Sequence, residues 1–153
     1  MFVDRILRLD PGDTIEVVRN VSATEDVFDD HFPGVPLLPG ALLVEAFEQA
    51  TQLLVAVTHD FERVGRLHRV SRATFRQFVR PGDQVIVGCR RQDRDEQHWT
   101  VAARASVGGQ PVATAVLGFD IVGGEADHAD RLRRLHETLT LDPLRLAGME
   151  EHG

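Results

Sequence analysis

Two ionisable side chains, His31 and Glu45, lie on either side of a segment rich in proline and glycine. An imidazole changes charge near neutral pH, so His31 is suited to accept a proton. A carboxyl group surrounded by apolar side chains keeps its proton to a higher pH, so Glu45 is suited to donate one. The pair predicts acid–base chemistry. A surface histidine and a solvent-facing carboxylate are the alternatives.

The segment between the two side chains determines where the next helix begins. Prolines and glycines recur from residue 33 to residue 40, so a helix cannot begin before Pro39. From Ala41 onward the sequence favours a helix, and the amide of Gly40 therefore falls in its first turn. Amides of a first turn have no acceptor inside the helix. We expect the Gly40 amide to bind a carbonyl oxygen that gains negative charge.

The predicted helix carries a single polar stripe on an otherwise apolar surface. Its members are Glu45, Glu48, Gln49 and Gln52, at the spacing i, i+3, i+4 and i+7. The apolar remainder favours burial on most faces, and an amphipathic surface helix is the alternative. Gln49 shares a face with Glu45 and could orient its carboxyl group or a water molecule. We expect the run to be too short and too interrupted by polar residues to cross a membrane.

The motifs His31-Phe-Pro-Gly, Leu38-Pro-Gly and Val44-Glu-Ala, followed by Gln49, resemble the signature of the bacterial 3-hydroxyacyl-[acyl-carrier-protein] dehydratases, the FabZ/FabA-like family. The resemblance covers residues 2–122, including a Pro-Gly-Asp strand end at residues 81–83 and a final hairpin at residues 101–122. It implies a hot-dog fold, in which a curved antiparallel β-sheet wraps around one long central α-helix. It also implies a dimer whose active sites each take the histidine from one subunit and the carboxylate from the other.

The pattern of the remaining sequence independently favours an α+β fold. Valine-rich, partly alternating segments predict strands, and glycine-containing turns separate several of them. The predicted strands are residues 14–21, 67–78, 84–91, 98–107 and 110–122. We expect residues 1–123 to form one domain and residues 124–153 an extension, helical over 127–140 and frayed at its end. The favoured interpretation of that helix is a solvated one; packing on the sheet or docking a partner are the alternatives.

The resemblance implies a dehydration with a role for each candidate residue. Water would be removed from a 3-hydroxyacyl thioester on the phosphopantetheine arm of acyl carrier protein, giving a trans-2-enoyl thioester without metal or cofactor. His31 would take the proton and Glu45 would protonate the departing hydroxyl. The Gly40 amide would hold the thioester oxygen, and Gln49 would support the site by orienting the Glu45 carboxyl group or a water molecule. Candidate linings of the acyl tunnel are Phe32, Phe75 and Phe78, although core packing is the favoured interpretation of these rings.

The sequence departs from the family pattern in ways that bear on its context. Gln77-Phe78 stands where the family has a basic residue and a proline. The sequence is expected to lack the family's usual lead segment before Val3. Residues 124–153 extend beyond the last predicted strand. These departures favour a polyketide or polyene pathway over primary fatty-acid synthesis. The rival functions are a hot-dog acyl thioesterase, which does not need His31, and an accessory subunit of a heterodimeric dehydratase.

Composition limits the partners and the compartment. A net charge of −7 over 153 residues argues against nucleic acid. Alternation along the predicted strand would place Arg72, Arg76 and Arg80 on one side, suited to an acidic carrier protein, with simple solubility as the equal alternative. The single cysteine, Cys89, and the lack of a signal peptide predict a cytoplasmic protein. The histidines other than His31 show no metal-ligand spacing.

Overall fold

The computed structural model describes residues 3–21 and 40–140, which form six strands and two helices. Helix α1 (Gly40–Thr58) lies between the second and third strands, and helix α2 (Ala126–Thr140) follows the last strand. The strands are β1 (Arg5–Asp10), β2 (Thr14–Asn20), β3 (Arg63–Phe75), β4 (Gln84–Arg91), β5 (His98–Val107) and β6 (Gln110–Gly123).

All six strands belong to one antiparallel sheet in the order β1-β2-β4-β5-β6-β3. Strands β4, β5 and β6 follow one another through short connections, whereas α1 lies between β2 and the strand at the far edge, β3. The helix therefore crosses the concave face of the sheet. The predicted α+β fold, with a curved antiparallel sheet around one long helix, is confirmed.

Strand bounds match the sequence prediction where turn residues mark the ends and miss where they do not. Strands β4 and β5 have the predicted bounds, and β6 is longer by one residue. The prediction of a strand over residues 67–78 is wrong at both ends, because β3 runs over Arg63–Phe75. Its first residues contain Gly65, a poor strand former, and they become a strand by pairing with the end of β6.

The core lies between the buried face of α1 and the concave face of the sheet. Phe47, Leu53 and Leu54 of α1 are fully buried among side chains of the sheet such as Leu117 and Phe119. Burying a side chain of this size stabilises the fold by about 1.5–3 kcal/mol. By length and composition alone α1 also qualifies as a membrane span, contrary to expectation, but half of that window is buried inside the protein. The buried core helix of a soluble protein meets the same criteria of length and composition.

The single cysteine belongs to this core. Cys89 of β4 is buried, and its Sγ lies 3.6 Å from the carbonyl oxygen of Phe47. Burial raises the pKa of the thiol to about 12. The thiol is therefore protonated at neutral pH and is a poor nucleophile in the folded chain.

Gln52 joins α1 to the strand at the edge of the sheet. Its side-chain amide donates a hydrogen bond to the Gly65 carbonyl oxygen and accepts one from the Gly65 amide at 3.0 Å. A β-carbon at Gly65 would lie 3.2 Å from Cδ1 of Phe119 and 3.3 Å from Cγ2 of Val55, so the glycine allows this close approach. One member of the polar stripe therefore fixes the position of β3 against the helix.

Helix α2 is not the solvated helix that the sequence favoured. Leu132 and Leu139 are buried, with 8 % and 1 % of their surface exposed, and Leu135 packs against the core. Phe61, after α1, lies against α2, with its ring centroid 5.9 Å from that of His136 and 4.9 Å from Cζ of Arg133. The alternative of packing on the fold is the correct one, since α2 contacts β1 and α1.

Candidate active site

The polar stripe of α1 lines an open groove against α2. The groove has a volume of about 380 Å³, and its lining comprises Glu45, Glu48, Gln49, Gln52, His128, Leu132 and Leu135. The stripe is therefore one continuous face, as its spacing predicted. Glu45 itself is exposed. The expectation that apolar side chains surround its carboxyl group is wrong within a single chain, because the buried side of α1 is the opposite one.

Glu48 carries the perturbed carboxyl group of this groove. Its pKa is raised, first because the side chain is partly buried and second because the negative charge of Glu45 lies one turn away. From the sequence, Glu48 is expected only to be a member of the polar stripe. A shift of this kind depends on the packing of α1 against its neighbours, which spacing alone does not reveal.

Gln49 lies between these carboxylates and the core. Its side chain is half-buried, and its Oε1 atom is buried with no hydrogen-bond partner among the residues that the structure describes. An amide oxygen buried without a partner costs about 1–3 kcal/mol. Gln49 is therefore placed to accept a hydrogen bond from a ligand or a water molecule in the groove.

The first turn of α1 begins at Gly40, as the sequence predicted, and an aromatic ring lies against it. A β-carbon on Gly40 would approach Cε1 of Phe75 to 2.8 Å, closer than real contacts allow. Phe75 is 49 % exposed and Phe78 is 69 % exposed, so core packing of these two rings is wrong in the described chain. His31 and Phe32 lie outside the described residues.

The three candidate arginines do not share a side by strand alternation. Strand β3 ends at Phe75, so Arg76 and Arg80 lie beyond it. Arg72 sits where the β3–β6 pairing shifts between Ser71 and Thr74, and its φ of 52° departs from strand geometry. All three side chains are nevertheless exposed.

Three histidines that the sequence left without a role lie beside other polar residues at two places in the fold. His128 of α2 lines the groove of Glu45. On the opposite face of the sheet, His68 and His98 approach Asp120. Neither group shows a motif, because their members are distant in sequence and only strand pairing or helix packing joins them.

Solved structures with this architecture define the fold class. A hot-dog-like protein from Thermanaerovibrio acidaminovorans matches with a TM-score of 0.64 at 16 % identity, over 88 % of this chain and 96 % of that one. The dehydratase heterocomplex ApeI:P from Xenorhabdus doucetiae matches with a TM-score of 0.67 at 14 % identity, over 86 % and 88 %. The chain therefore has the hot-dog fold.

Sequence comparison narrows this class to one family. The model of the FabA-like domain matches residues 1–116. The 3-hydroxyacyl-[acyl-carrier-protein] dehydratase FabZ of Lactiplantibacillus plantarum is 37 % identical over 124 residues, which are 80 % of this chain and 84 % of that protein. The FabZ of Nitratidesulfovibrio vulgaris strain DP4 is 37 % identical over 128 residues, 82 % and 83 % of the two chains. The chain belongs to the FabA-like family, and the predicted resemblance is confirmed.

Proposed function

We propose that this protein removes water from a 3-hydroxyacyl thioester carried on acyl carrier protein and forms a trans-2-enoyl thioester. The observation that carries the proposal is the placement of Glu45 on an open polar face of α1, shortly after a helix start at Gly40, whose first-turn amides have no acceptor inside the helix. Membership of the FabA-like family supports it. Such thioesters occur in fatty-acid and in polyketide biosynthesis, and the proposal covers both.

In this proposal a particular residue acts at each bond that breaks or forms. His31 takes the proton from the carbon next to the thioester carbonyl, and the developing negative charge moves onto the carbonyl oxygen, which the Gly40 amide holds. As the double bond forms, the bond to the hydroxyl breaks and Glu45 donates the proton with which water leaves. Each proton-transfer group contributes a rate factor of about 10² to 10⁴. No step needs a metal or a redox cofactor.

Gln49 is the positioning residue in this scheme. It follows Glu45 by one helical turn and lines the same groove, and its buried Oε1 needs a donor. A protonated Glu45 carboxyl group or an ordered water provides one. Gln49 thereby orients the Glu45 carboxyl group, or a water molecule, for the proton transfer.

The active site is proposed to form between two subunits. Glu45 is exposed in the single chain, and β3 lies at an edge of the sheet, with β6 as its partner within the described residues. An edge strand pairs readily with a second chain. A second copy, or a related chain in a heterodimer, brings its histidine to Glu45, and its contact removes the carboxyl group from water.

The substrate path follows the exposed aromatic rings at the start of α1. Phe75 lies against Gly40, and Phe78 follows it on the surface; with Phe32 they are proposed to line the acyl tunnel. Arg72, Arg76 and Arg80 are proposed to meet the acidic carrier protein and the phosphate of its arm. The reduced, buried Cys89 fits a cytoplasmic protein.

The test is mass spectrometry of a 3-hydroxyacyl carrier protein incubated with the purified chain and with its His31→Ala and Glu45→Ala variants. Loss of water with the wild type, and with neither variant, supports the proposal. Release of free acid would identify a thioesterase instead. An equal mixture of the two variants, once their subunits have exchanged, restores about a quarter of the activity if the groups come from different subunits, because half of the dimers are mixed and each mixed dimer retains one intact site of two.

A further inference from the structure

Three potential metal ligands meet on the convex face of the sheet, opposite α1. Nδ1 of His98 lies 2.8 Å from Oδ1 of Asp120, and Nε2 of His68 lies 3.7 Å from the same oxygen. One donor atom from each residue lies within 4.8 Å of the others. The donors come from β3, β5 and β6, which are neighbours in the sheet.

The pairing of the strands builds this cluster. His98 and Asp120 are direct cross-strand partners, and their neighbours Trp99 and Phe119 are buried on the other face. Side chains of successive residues alternate between faces, so His98 and Asp120 both point away from α1. Cross-strand side chains of this kind are close enough to interact.

A β-bulge adds the second histidine. Leu67 pairs with Phe119 and Arg69 with Gly118, so His68 is the extra residue between them. Bulges of this type redirect a side chain. A β-carbon on Gly118 would lie 3.2 Å from both Cε1 and Nε2 of His68, so the glycine provides the space that the imidazole occupies. The bulge and the glycine together bring the ring to Asp120.

We propose that His68, His98 and Asp120 form a binding site for a divalent transition metal of the zinc class. Two imidazoles and one carboxylate suit zinc, copper, nickel or iron, whereas magnesium and calcium prefer oxygen ligands alone. Donors bound at about 2.0 Å to a tetrahedral ion lie about 3.3 Å apart. The two separations from Oδ1 of Asp120, 2.8 Å to His98 and 3.7 Å to His68, lie on either side of that value.

The surroundings leave room for further ligands of the metal. The cluster opens into a cavity of about 580 Å³ that Arg69 and Arg72 also line. The positive charges of these two arginines repel a cation that is only weakly bound. They favour an anionic ligand, such as hydroxide, at the open coordination position of the metal. Three protein ligands and one open position are the arrangement of catalytic rather than structural zinc sites. The site is separate from the groove of Glu45.

The test is calorimetric titration of the tag-free protein with zinc chloride. We expect one ion per chain, and His68→Ala, His98→Ala and Asp120→Ala each to weaken binding at least about tenfold. His136→Ala, which removes a histidine from α2, serves as the matched control and should leave the affinity unchanged. Cobalt chloride should give the visible absorption bands of a four-coordinate site in the wild type and in none of the three ligand variants.

A thermal measurement distinguishes specific binding from adventitious binding by surface histidines. A ligand bound to the folded state at about 100 times its Kd raises Tm by on the order of 5 °C in a chain of this size. We expect that rise with zinc in the wild type and in His136→Ala, and its loss in the three ligand variants. Binding that is equal in all variants, or absent in the wild type, would overturn the proposal.

Discussion

The two faces of the molecule that carry candidate chemistry differ in how the chain assembles them. The groove on α1 takes its carboxylates and side-chain amides from one helix, at spacings that the sequence displays, and α2 adds His128. The convex cluster takes its residues from three strands and depends on a bulge and a glycine. Local chemistry is therefore readable in the sequence, and chemistry created by strand register is not.

The largest expected effect is on kcat, and it distinguishes the role of Glu45 from that of Glu48 in the same polar stripe. Glu45→Gln should lower kcat for dehydration by about 10² to 10⁴, because it removes the proton donor while it preserves shape. Glu48→Gln is the matched control, and its kcat should remain within about tenfold of the wild type. The rate of enoyl thioester formation, followed by mass spectrometry, measures both. Equal losses in the two variants would show that position on the stripe does not decide the role.

A glycine substitution on the α1 side should have the next largest effect. Gly40→Ala places a methyl group 2.8 Å from the Phe75 ring and shifts the first turn of the helix. A displacement of about 1 Å at a reacting group costs about 10² in rate. Activity should fall accordingly, with zinc affinity unchanged. The double variant with Phe75→Ala should recover part of the loss, and no recovery would argue that the ring is not the obstacle.

The equivalent substitution on the convex face should act on the metal alone. Gly118→Ala adds a methyl group 3.2 Å from the His68 imidazole, a distance that the ring can relieve by moving a few tenths of an ångström. We expect zinc affinity to fall about tenfold while all three ligands remain, with dehydration unchanged. Calorimetry and the dehydration assay, run on the same preparation, show whether the two faces are independent.

The smallest effect concerns stability and pH at Glu48. Since burial and then Glu45 raise its folded-state pKa, the unfolded chain ionises Glu48 first as the pH rises. Wild-type stability should therefore fall relative to Glu48→Gln as the pH rises above 4.5, the ordinary value, and the gap should level off above the raised pKa. Urea unfolding at several pH values measures it. A stability difference between wild type and Glu48→Gln that does not depend on pH would contradict a raised pKa at Glu48. In a Glu45→Gln background the difference should become smaller but remain, because burial is the larger cause of the shift.

The contrast between features set by local sequence and features set by strand pairing also explains which parts of the fold could be predicted. The start of α1 follows from Pro39 and Gly40, and the ends of β4 and β5 follow from turn residues and alternation. The bounds of β3 required knowledge of its pairing with β6. The spacing of Leu132 and Leu139 predicted the helix α2, but not the surface against which it packs.

The candidate site divides in the same way. Gly40, Glu45 and Gln49 follow one another along one helix, so a motif suffices to propose them together. The surroundings of Glu45 depend on which face of α1 the sheet covers, and for that reason the predicted apolar environment is not found within one chain. Asp120 meets two histidines only through the register of β5 and β6 and an extra residue in β3.

Because Cys89 is buried, the reactivity of its thiol measures the separation of α1 from β4. The thiol lies between β4 and α1, is protonated at neutral pH, and is the one cysteine of the sequence. A thiol reagent can react with it only after α1 and β4 separate, so the labelling rate measures how often that separation occurs. Because the groove of Glu45 lies on the same helix, a slower labelling rate in the presence of carrier protein would register substrate engagement without an engineered labelling site.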